Sequence, residues 1–387
     1  MENERVGIYF DNGSTSYPKA PGVADAMAHL LNQGAFNINR GNYEGAYEVA
    51  EIVLDTREKL AELFHASSSR QVIFTPGITY SLNDFIKGVL RSGDHVIVTG
   101  MEHNAVMRPL CQMEKIGVCY EMAYTDCEGM VYPKDVEKLI RKETKAVIML
   151  HASNVCGTIV PIEEIGEICR RHGLYFAVDT AQSAGTIPVN MQAACIDFLA
   201  FTGHKGLLGP QGIGGFIISD RLNQEMEPLI AGGTGSQSDK LTMPDSLPDK
   251  YESGTLNLPG IIGLHASLSY LEQTGIEKIY QKKMELTARF LEQVKEFSDI
   301  RIAGRKGLGD RVAVVSLDFT RRDNGVVSFE LEQEYGIMTR VGLHCAPMAH
   351  KCLRTYPQGT VRFAFSSSNT IEEIDICIRA FKELGMR

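Results

Sequence analysis

The sequence predicts an α/β protein with a mainly parallel central sheet, helices on both faces of that sheet, and a smaller α+β domain towards the C-terminus. Two observations predict this class. Short apolar runs recur through the first half of the chain, as expected of strands that are buried on both faces. A 13-residue amphipathic segment separates two of these runs, which is the pattern of a β-α-β unit with a parallel crossover.

The first half of the chain accounts for the sheet. Residues 44–64 have a long helical pattern that precedes the first strand. Between the third and fourth strands, Pro161 begins a helix that Gly173 ends. The Gly-rich stretch 209–219 is interpreted as a loop and a strand that runs antiparallel to the others. The predicted parallel strands are residues 71–76, 94–100, 145–153, 174–182 and 196–205.

The second half changes in composition after about residue 230. Residues 231–250 are rich in Gly, Ser, Asp and Pro, which predicts a long and mobile surface loop near a subunit interface. Further helices are predicted at 261–297, with a break near Gly275, and at 370–385, with strands at 311–319, 336–347 and 360–369. The predicted domains are an N-terminal segment (1–20) that packs with the small domain, a large domain (21–260) and the small domain (261–387).

Composition and charge exclude several classes of protein. Apolar residues make up 44% of the 387-residue chain and charged residues 22%, so the chain is not intrinsically disordered. The net charge of −9 and the absence of basic runs argue against nucleic acid as a partner. No apolar stretch approaches the ~20 residues that span a bilayer, and the N-terminus does not resemble a signal peptide. Nine scattered Cys without a CxxC predict reduced thiols, no metal site and a cytoplasmic location.

Polar residues follow the predicted strands. The ends of parallel strands meet at one edge of a sheet, where ligands bind. Because polar residues follow each of the five predicted strands, we expect an anion site, an imidazole, an amide, a carboxylate and a lysine at that edge. These residues are Thr79, His103, Asn154, Asp179 and Lys205.

Lys205 is the most specific of these candidates. Taken alone, it is more often a solvated loop lysine, but its position among glycines also suits an amine that forms an imine with a carbonyl. Asp179 taken alone is a turn or helix cap, whereas a buried carboxylate beside a pyridinium would keep the ring nitrogen protonated. A lysine and an aspartate in these roles are the pair expected of pyridoxal phosphate (PLP) enzymes.

Each of the other candidates is weaker evidence when it is considered alone. Thr79 lies in the first turn of a predicted helix, where free N–H groups and the helix dipole suit a phosphate, although an ordinary helix start is equally expected. His103 and Asn154 taken singly are more often a satisfied histidine and a turn residue. The five residues in this order strengthen one another.

The ordered motifs resemble those of the class V aminotransferase group of fold-type I PLP enzymes, specifically cysteine desulfurases and selenocysteine lyases. The resemblance runs from YFDNGSTS at 9–16 to RFAFSSSNTIEEID at 362–375. The most specific motifs are MEHNAV at 101–106, HASNVCGT at 151–158, FAVDTAQSAG at 176–185, FTGHKGLLGPQGIGG at 201–215, YESGTLN at 251–257 and TRVGLHCAP at 339–347.

This resemblance implies roles around the cofactor ring. Lys205 would carry the PLP, and His103 would stack on its ring and relay protons. Asp179 would pair with the ring nitrogen and Gln182 with the phenolic oxygen, while Asn154 would contact both cofactor and substrate.

It also implies a phosphate site. Thr79, Thr202 and His204 would hold the phosphate, together with the backbone of Ile78. Thr255 would reach the phosphate of the neighbouring subunit, which implies a homodimer with shared active sites.

For the substrate, the resemblance implies that Arg362 and Asn154 bind the carboxylate, and Arg340 is a further candidate. Cys345 would be the nucleophile that takes sulfur from L-cysteine as a persulfide and leaves L-alanine. Its thiolate needs positive charge nearby, which Arg340 and His344 could supply. Without further information, each of the nine Cys is expected to be a small, buried hydrophobic residue. Cys156 is the second candidate nucleophile because it lies within HASNVCGT.

The sequence departs from the family pattern at three positions. Leu343 replaces the first of two histidines common before the Cys, Ile78 lies where Thr is usual, and Tyr80 replaces a Glu or similar residue. The short loop around Cys345 resembles the branch that depends on a separate sulfur-acceptor protein, so such a partner is a hypothesis here.

Three functions remain open from the sequence. The first is cysteine desulfurase, with selenocysteine lyase as an alternative or additional activity on selenocysteine. The second is a related PLP enzyme, an aminotransferase or C–S lyase, that does not need the Cys345 thiol. The third is a non-catalytic sensor with a PLP-enzyme fold, which usually carries a basic DNA-binding module that this chain lacks.

Overall fold

The computed structural model describes residues 7–34, 36–38 and 41–387. Residues 1–6 of the predicted N-terminal segment lie outside this range. The strands, numbered in chain order, are β1 (Ile8–Tyr9), β2 (Val72–Thr75), β3 (His95–Thr99), β4 (Cys119–Ala123), β5 (Thr144–Leu150), β6 (Tyr175–Asp179), β7 (Phe198–Thr202), β8 (Gly214–Ile218), β9 (Ile300–Ala303), β10 (Val314–Phe319), β11 (Ile337–Met338), β12 (Arg340–Gly342) and β13 (Thr360–Ala364).

The helices of the described residues cover the sheets and connect their strands. They are α1 (Val23–Gln33), α2 (Glu44–Phe64), α3 (Ile78–Val89), α4 (Asn104–Glu114), α5 (Pro133–Glu137), α6 (Ile162–Arg171), α7 (Asp220–Asn223), α8 (Leu258–Thr274), α9 (Ile276–Val294), α10 (Asn324–Tyr335), α11 (Pro347–Cys352) and α12 (Ile371–Glu383). None of them is both long and apolar enough to cross a membrane.

Seven strands form the central sheet, in the order β2-β8-β7-β6-β5-β3-β4. The strands β4, β3, β5, β6 and β7 pair in parallel. The Gly-rich strand β8 runs antiparallel between β7 and β2, as its sequence predicts. The strand β4 was not predicted, because it lies at the sheet edge and is only partly buried, so its sequence lacks a continuous apolar run.

Alternate side chains of this sheet enter two separate cores. Val96 and Val98 pack on one face with residues of α3 and α4, such as Leu82. Ile97 packs on the other face with residues of α2, α6 and α8, such as Leu60. The predicted arrangement, with helices on both faces of a mainly parallel sheet, is therefore confirmed.

A second sheet forms the smaller α+β unit. Its strands β12-β13-β10-β9 are all antiparallel, and α9, α10 and α12 pack on it around Phe290 and Phe381. The strand β1 pairs with β11, and Phe10 is buried in this same core.

The chain leaves the core of the large sheet and enters the core of the small sheet within α9. Ile279 belongs to the core of the large sheet and Leu286 to that of the small sheet. The helix α8 packs on α1 and α2. The segment from 261 to 279, which the predicted boundary at 260 assigns to the small domain, thus packs with the large core.

Candidate active site

The candidate site lies at the edge of the central sheet where β3, β5, β6 and β7 end. Lys205 follows β7 after a short turn and is half-buried. Burial lowers the pKa of its amine to about 8, although the nearby Asp179 carboxylate favours the charged form. A lysine in this environment is neutral and nucleophilic in a useful fraction of molecules near neutral pH.

Asp179 is the last residue of β6 and is buried. Its Oδ1 accepts a hydrogen bond from the backbone N–H of Ala181 at 2.8 Å. Burial raises the pKa of this carboxyl, while the hydrogen bond and the Lys205 amine oppose that effect. A cationic ring nitrogen placed against Asp179 would add a second positive charge to that of the nearby Lys205 amine.

His103 caps the N-terminus of α4. Its Nδ1 accepts a hydrogen bond from the backbone N–H of Ala105 at 3.0 Å. Burial, together with the positive charges of Lys205 and Arg362, lowers its pKa to about 4. The imidazole is therefore neutral at pH 7, and its proton is on Nε2 because Nδ1 is the acceptor.

The start of α3 contains the residues that were predicted to bind an anion. A Cβ built on Gly77 would lie 3.9 Å from Oγ1 of the buried Thr202, so this hydroxyl lies close to the start of the helix. Thr79 lies exposed in the first turn, next to the half-buried Ile78. His204 follows Thr202, and its buried Nδ1 has no partner among the described residues. These donors suit a phosphate.

Asn154 and Arg362 form the other wall of the site. Arg362 Nη1 donates to the carbonyl oxygen of Asn154 at 3.1 Å, and Nη2 bonds Asp11 and Ser14, both at 2.7 Å. Arg340 also donates to Ser14, at 2.8 Å. Within the described part of the chain, Arg362 Nε and Asn154 Oδ1 are buried without partners. Each of these two groups can therefore form one more hydrogen bond.

The loop after β12 carries Cys345. This residue is exposed, and both Cys345 and His344 adopt left-handed backbone angles, with φ of 56° and 46°. The backbone N–H of Asn104 donates to the Cys345 carbonyl at 2.7 Å, which fixes the loop beside His103 at the start of α4. Cys345 and His103 line one groove of about 260 Å³.

His344 corrects one part of the sequence interpretation. Its imidazole is buried, with Nε2 3.0 Å from Thr360 Oγ1. Burial and the positive charge of Arg362 lower its pKa to about 2, so it is neutral and cannot supply the positive charge expected beside Cys345. The groove around Cys345 instead contains Lys87 of α3 and Arg108 of α4, which were not predicted from the sequence.

Three further candidates, Gln182, Thr255 and Cys156, have different surroundings, although Gln182 lines a small cavity together with Lys205. The side chain of Gln182 is engaged in a hydrogen bond from Nε2 to the carbonyl oxygen of Gly13, at 3.0 Å. Thr255 is exposed and lines a hollow with Thr75 and Tyr80. Cys156, the second candidate nucleophile, is buried, with Sγ 3.2 Å from Thr158 Oγ1, and is a structural thiol.

Asp11, Ser14 and Glu102 also contribute to the site but were not predicted. Asp11 and Ser14 lie within the quoted motif YFDNGSTS, so their polarity so close to an apolar strand was the available signal. Glu102 is buried beneath the site, where its Oε1 accepts hydrogen bonds from Thr99 Oγ1 and the N–H of Leu150. Within the described ranges, no group of three or more His, Cys, Asp or Glu side chains could hold a metal ion.

Comparison with known proteins identifies the family of this chain. The family model "Aminotransferase class-V" matches residues 8–377. A probable cysteine desulfurase of Methanothermobacter thermautotrophicus is 33% identical over 386 residues, covering 98% of this chain and 95% of that protein. A probable cysteine desulfurase of Pyrococcus abyssi is 34% identical, covering 97% and 94% of the two chains. The apo structure of a cysteine desulfurase from Thermococcus onnurineus superimposes with a TM-score of 0.91 at 33% identity, over 98% and 94% of the chains.

Proposed function

The chain belongs to the class-V aminotransferase family, and we propose that within this family it is a PLP-dependent cysteine desulfurase that converts L-cysteine to L-alanine. The sulfur passes to Cys345 as a persulfide. The observation that carries this proposal is an exposed thiol, Cys345, on a loop that is hydrogen-bonded at the mouth of a site containing Lys205, Asp179 and His103. A nucleophilic thiol in this position is what desulfuration needs and transamination does not.

The residues present fit PLP. The N-terminus of α3 and the Thr202 hydroxyl would hold the phosphate, together with His204, whose buried Nδ1 has no partner among the described residues. The buried Asp179 would face the ring nitrogen. When bound, PLP supplies an electron sink for the α-carbon of the amino acid. Gln182 Nε2 uses one of its two hydrogens for Gly13, and the other would be available to the phenolic oxygen.

The side chains around the ring would handle the protons. Lys205 has its pKa lowered to about 8 by burial, so its amine can both attach to the cofactor and exchange a proton with the substrate. His103 is neutral because burial and the nearby cations lower its pKa to about 4, which lets it stack on a cationic ring without repulsion.

Arg362 would orient the substrate. Its Nη atoms are held by Asn154, Asp11 and Ser14, which fixes the plane of the guanidinium. The free Nε edge then points to one ligand, and a carboxylate of the amino acid is the group that suits it best. Asp11 keeps this buried cation paired when no substrate is bound.

Cys345 would perform the sulfur transfer. Its thiolate attacks the substrate sulfur, so an S–S bond forms as the Cβ–S bond of the substrate breaks. The electron pair of the broken bond stays with the substrate carbon, which takes up a proton and leaves as alanine. The outer sulfur of the persulfide is then open to attack by an acceptor thiol, because Cys345 is exposed.

The proposal includes two binding partners, a second copy of this chain and a sulfur-acceptor protein. We propose a homodimer, because the exposed Thr255 lies in a hollow that also holds Tyr80 and Ile230, two exposed apolar side chains that a second subunit would cover. We propose that the sulfur acceptor is a protein with acidic residues, because the charged side chains lining the groove at Cys345 are Lys87 and Arg108, both positive.

Turnover of L-cysteine tests the proposed function. The purified protein with PLP and a thiol reductant is expected to release sulfide and alanine in equal amounts. Cys345→Ala should keep the visible absorbance of bound cofactor but release no sulfide, while Cys111→Ala, which removes an exposed thiol of α4, should behave as the unaltered protein. Full turnover by Cys345→Ala would instead indicate a C–S lyase or aminotransferase that does not need the thiol.

A further inference from the structure

A small cavity lies beside Lys205, where three parts of the chain meet. The N-terminal segment contributes Asn12 and Ser16 to its wall, the large domain contributes Thr186, and the small domain contributes Lys283 and Ser366. Its volume is about 30 Å³, enough for about two water-sized particles. The proposed mechanism does not use Lys283 or Thr186.

Lys283 is a buried cation without a counter-ion. Its side chain belongs to α9 and is only 8% exposed. Within the described residues, its Nζ has one hydrogen bond, to Thr186 Oγ1, and at 3.5 Å this bond is long for an ammonium donor. No carboxylate of those residues lies within 4 Å of Nζ, whereas buried ammonium groups are normally paired.

The cavity is electropositive and rich in donors. Its charged lining residues are Lys205 and Lys283, and no acidic residue lines it. Thr186 Oγ1 accepts from Lys283, so its own hydrogen is free to point into the cavity. Ser366 Oγ accepts from Ser368, which frees its hydrogen in the same way. A water molecule would satisfy hydrogen bonds here but would leave the charge of Lys283 unbalanced.

We propose that this cavity is a binding site for a small monovalent anion of the size of chloride, held by the Lys283 ammonium and the Thr186 hydroxyl. A volume of about 30 Å³ suits a compact anion better than a tetrahedral oxyanion with its own hydrogen-bond shell. Burial alone lowers the pKa of Lys283 to about 8, so the amine still carries its charge at pH 7 and attracts an anion. Because the three parts of the chain meet here, the bound anion would stabilise their packing.

Crystals of the PLP-loaded protein grown in sodium bromide test the site directly. We expect an anomalous difference peak within hydrogen-bond reach of Lys283 Nζ. The peak should be absent from Lys283→Met, which keeps a long apolar side chain but removes the charge. Density for water alone at this position in the unaltered protein would overturn the proposal.

Thermal unfolding provides the solution test. Replacing gluconate by chloride at constant ionic strength should raise the Tm of the PLP-loaded protein by about 1–3 °C at about ten times the dissociation constant. Lys283→Met should lose this increase. Lys282→Met is the matched control, since Lys282 is partly exposed, pairs with Glu285 and does not line the cavity, and it should keep the increase. An equal response of all three proteins would show that chloride acts elsewhere and would overturn the proposal, and if Lys283→Met does not fold, the bromide crystals decide.

Discussion

Asn154 donates a hydrogen bond from Nδ2 to the main-chain carbonyl of His344, at 2.8 Å. This bond joins the edge of the central sheet to the residue immediately before Cys345, across 190 positions of sequence. Both Asn154 and His344 are buried, so the bond is shielded from water. The nucleophile loop is thus anchored from the large domain, in addition to the bond from the N–H of Asn104 to the Cys345 carbonyl.

Asn154→Ala should therefore loosen the loop. We expect turnover of L-cysteine to fall about 10- to 100-fold, because a small displacement of the thiol costs that much, while the visible absorbance of bound PLP is retained. Alkylation of Cys345 by iodoacetamide without substrate should change in rate, which reports on the loop and not on carboxylate binding. Gln333→Ala is the control, since its exposed amide bonds Glu332 on the surface of α10 and does not line the groove of Cys345. An unchanged alkylation rate would argue against an anchor.

Cofactor capture should depend on pH through Lys205. Burial lowers the pKa of this amine to about 8, so it loses its proton and becomes nucleophilic as the pH rises through 8. The rate at which apoprotein gains the absorbance of bound PLP should rise about tenfold per pH unit below 8 and level off above it. An unperturbed lysine would give a rise that continues to about pH 10.

The control for that experiment must exclude other amines. Burial also lowers the pKa of Lys19 and of Lys283 to about 8. Lys205→Ala should abolish capture at every pH, whereas Lys19→Ala should leave the midpoint unchanged. A midpoint near 10 in the unaltered protein would contradict the environment described for Lys205.

The residues at the sheet edge are well predicted from the sequence because the patterns that place them there are local. Parallel strands buried on both faces appear as apolar runs, and their polar ends must converge, so the apolar runs alone place Lys205, Asp179 and His103 together. The resemblance to a family added the residues from distant segments, Arg362 and Cys345.

The remaining features depend on contacts that no local pattern encodes. The pair of Arg362 with Asp11 joins residues 351 positions apart. The burial of His344, which removes it as a source of positive charge, results from the packing of its loop against Thr360. Lys87 and Arg108 belong to two different helices, and only the packing of α3 on α4 brings them to the groove of Cys345.

Glu252 should contribute strongly to stability. Its carboxylate forms a buried ion pair with Arg57 at 2.6 Å and accepts a hydrogen bond from the N–H of Phe74 at 2.7 Å. Glu252→Ala leaves a buried guanidinium unpaired, so the free energy of unfolding should fall by about 3–5 kcal/mol, measured from urea denaturation. Glu272→Ala removes an exposed partner of Lys59 and should cost at most about 1 kcal/mol. Equal losses for the two variants would show that the Arg57 pair is unimportant.

The positive groove should govern transfer of sulfur to an acidic acceptor. Lys87 and Arg108 line the groove with Cys345, and their charges would steer a negatively charged protein towards the persulfide. With such an acceptor, Lys87→Glu should reduce the second-order rate of sulfur transfer about tenfold at low salt and less at high salt, because ions screen the attraction.

Release of sulfide to a small neutral thiol separates docking from chemistry. In that assay Lys87→Glu should remain within about twofold of the unaltered protein, since Lys87 contacts neither cofactor nor substrate in the proposed mechanism. Lys306→Glu makes the same charge change at an exposed lysine outside the groove and should leave transfer to the acceptor intact. If both variants slow that transfer equally, net charge and not this groove governs the encounter, and the acceptor must approach Cys345 from another side.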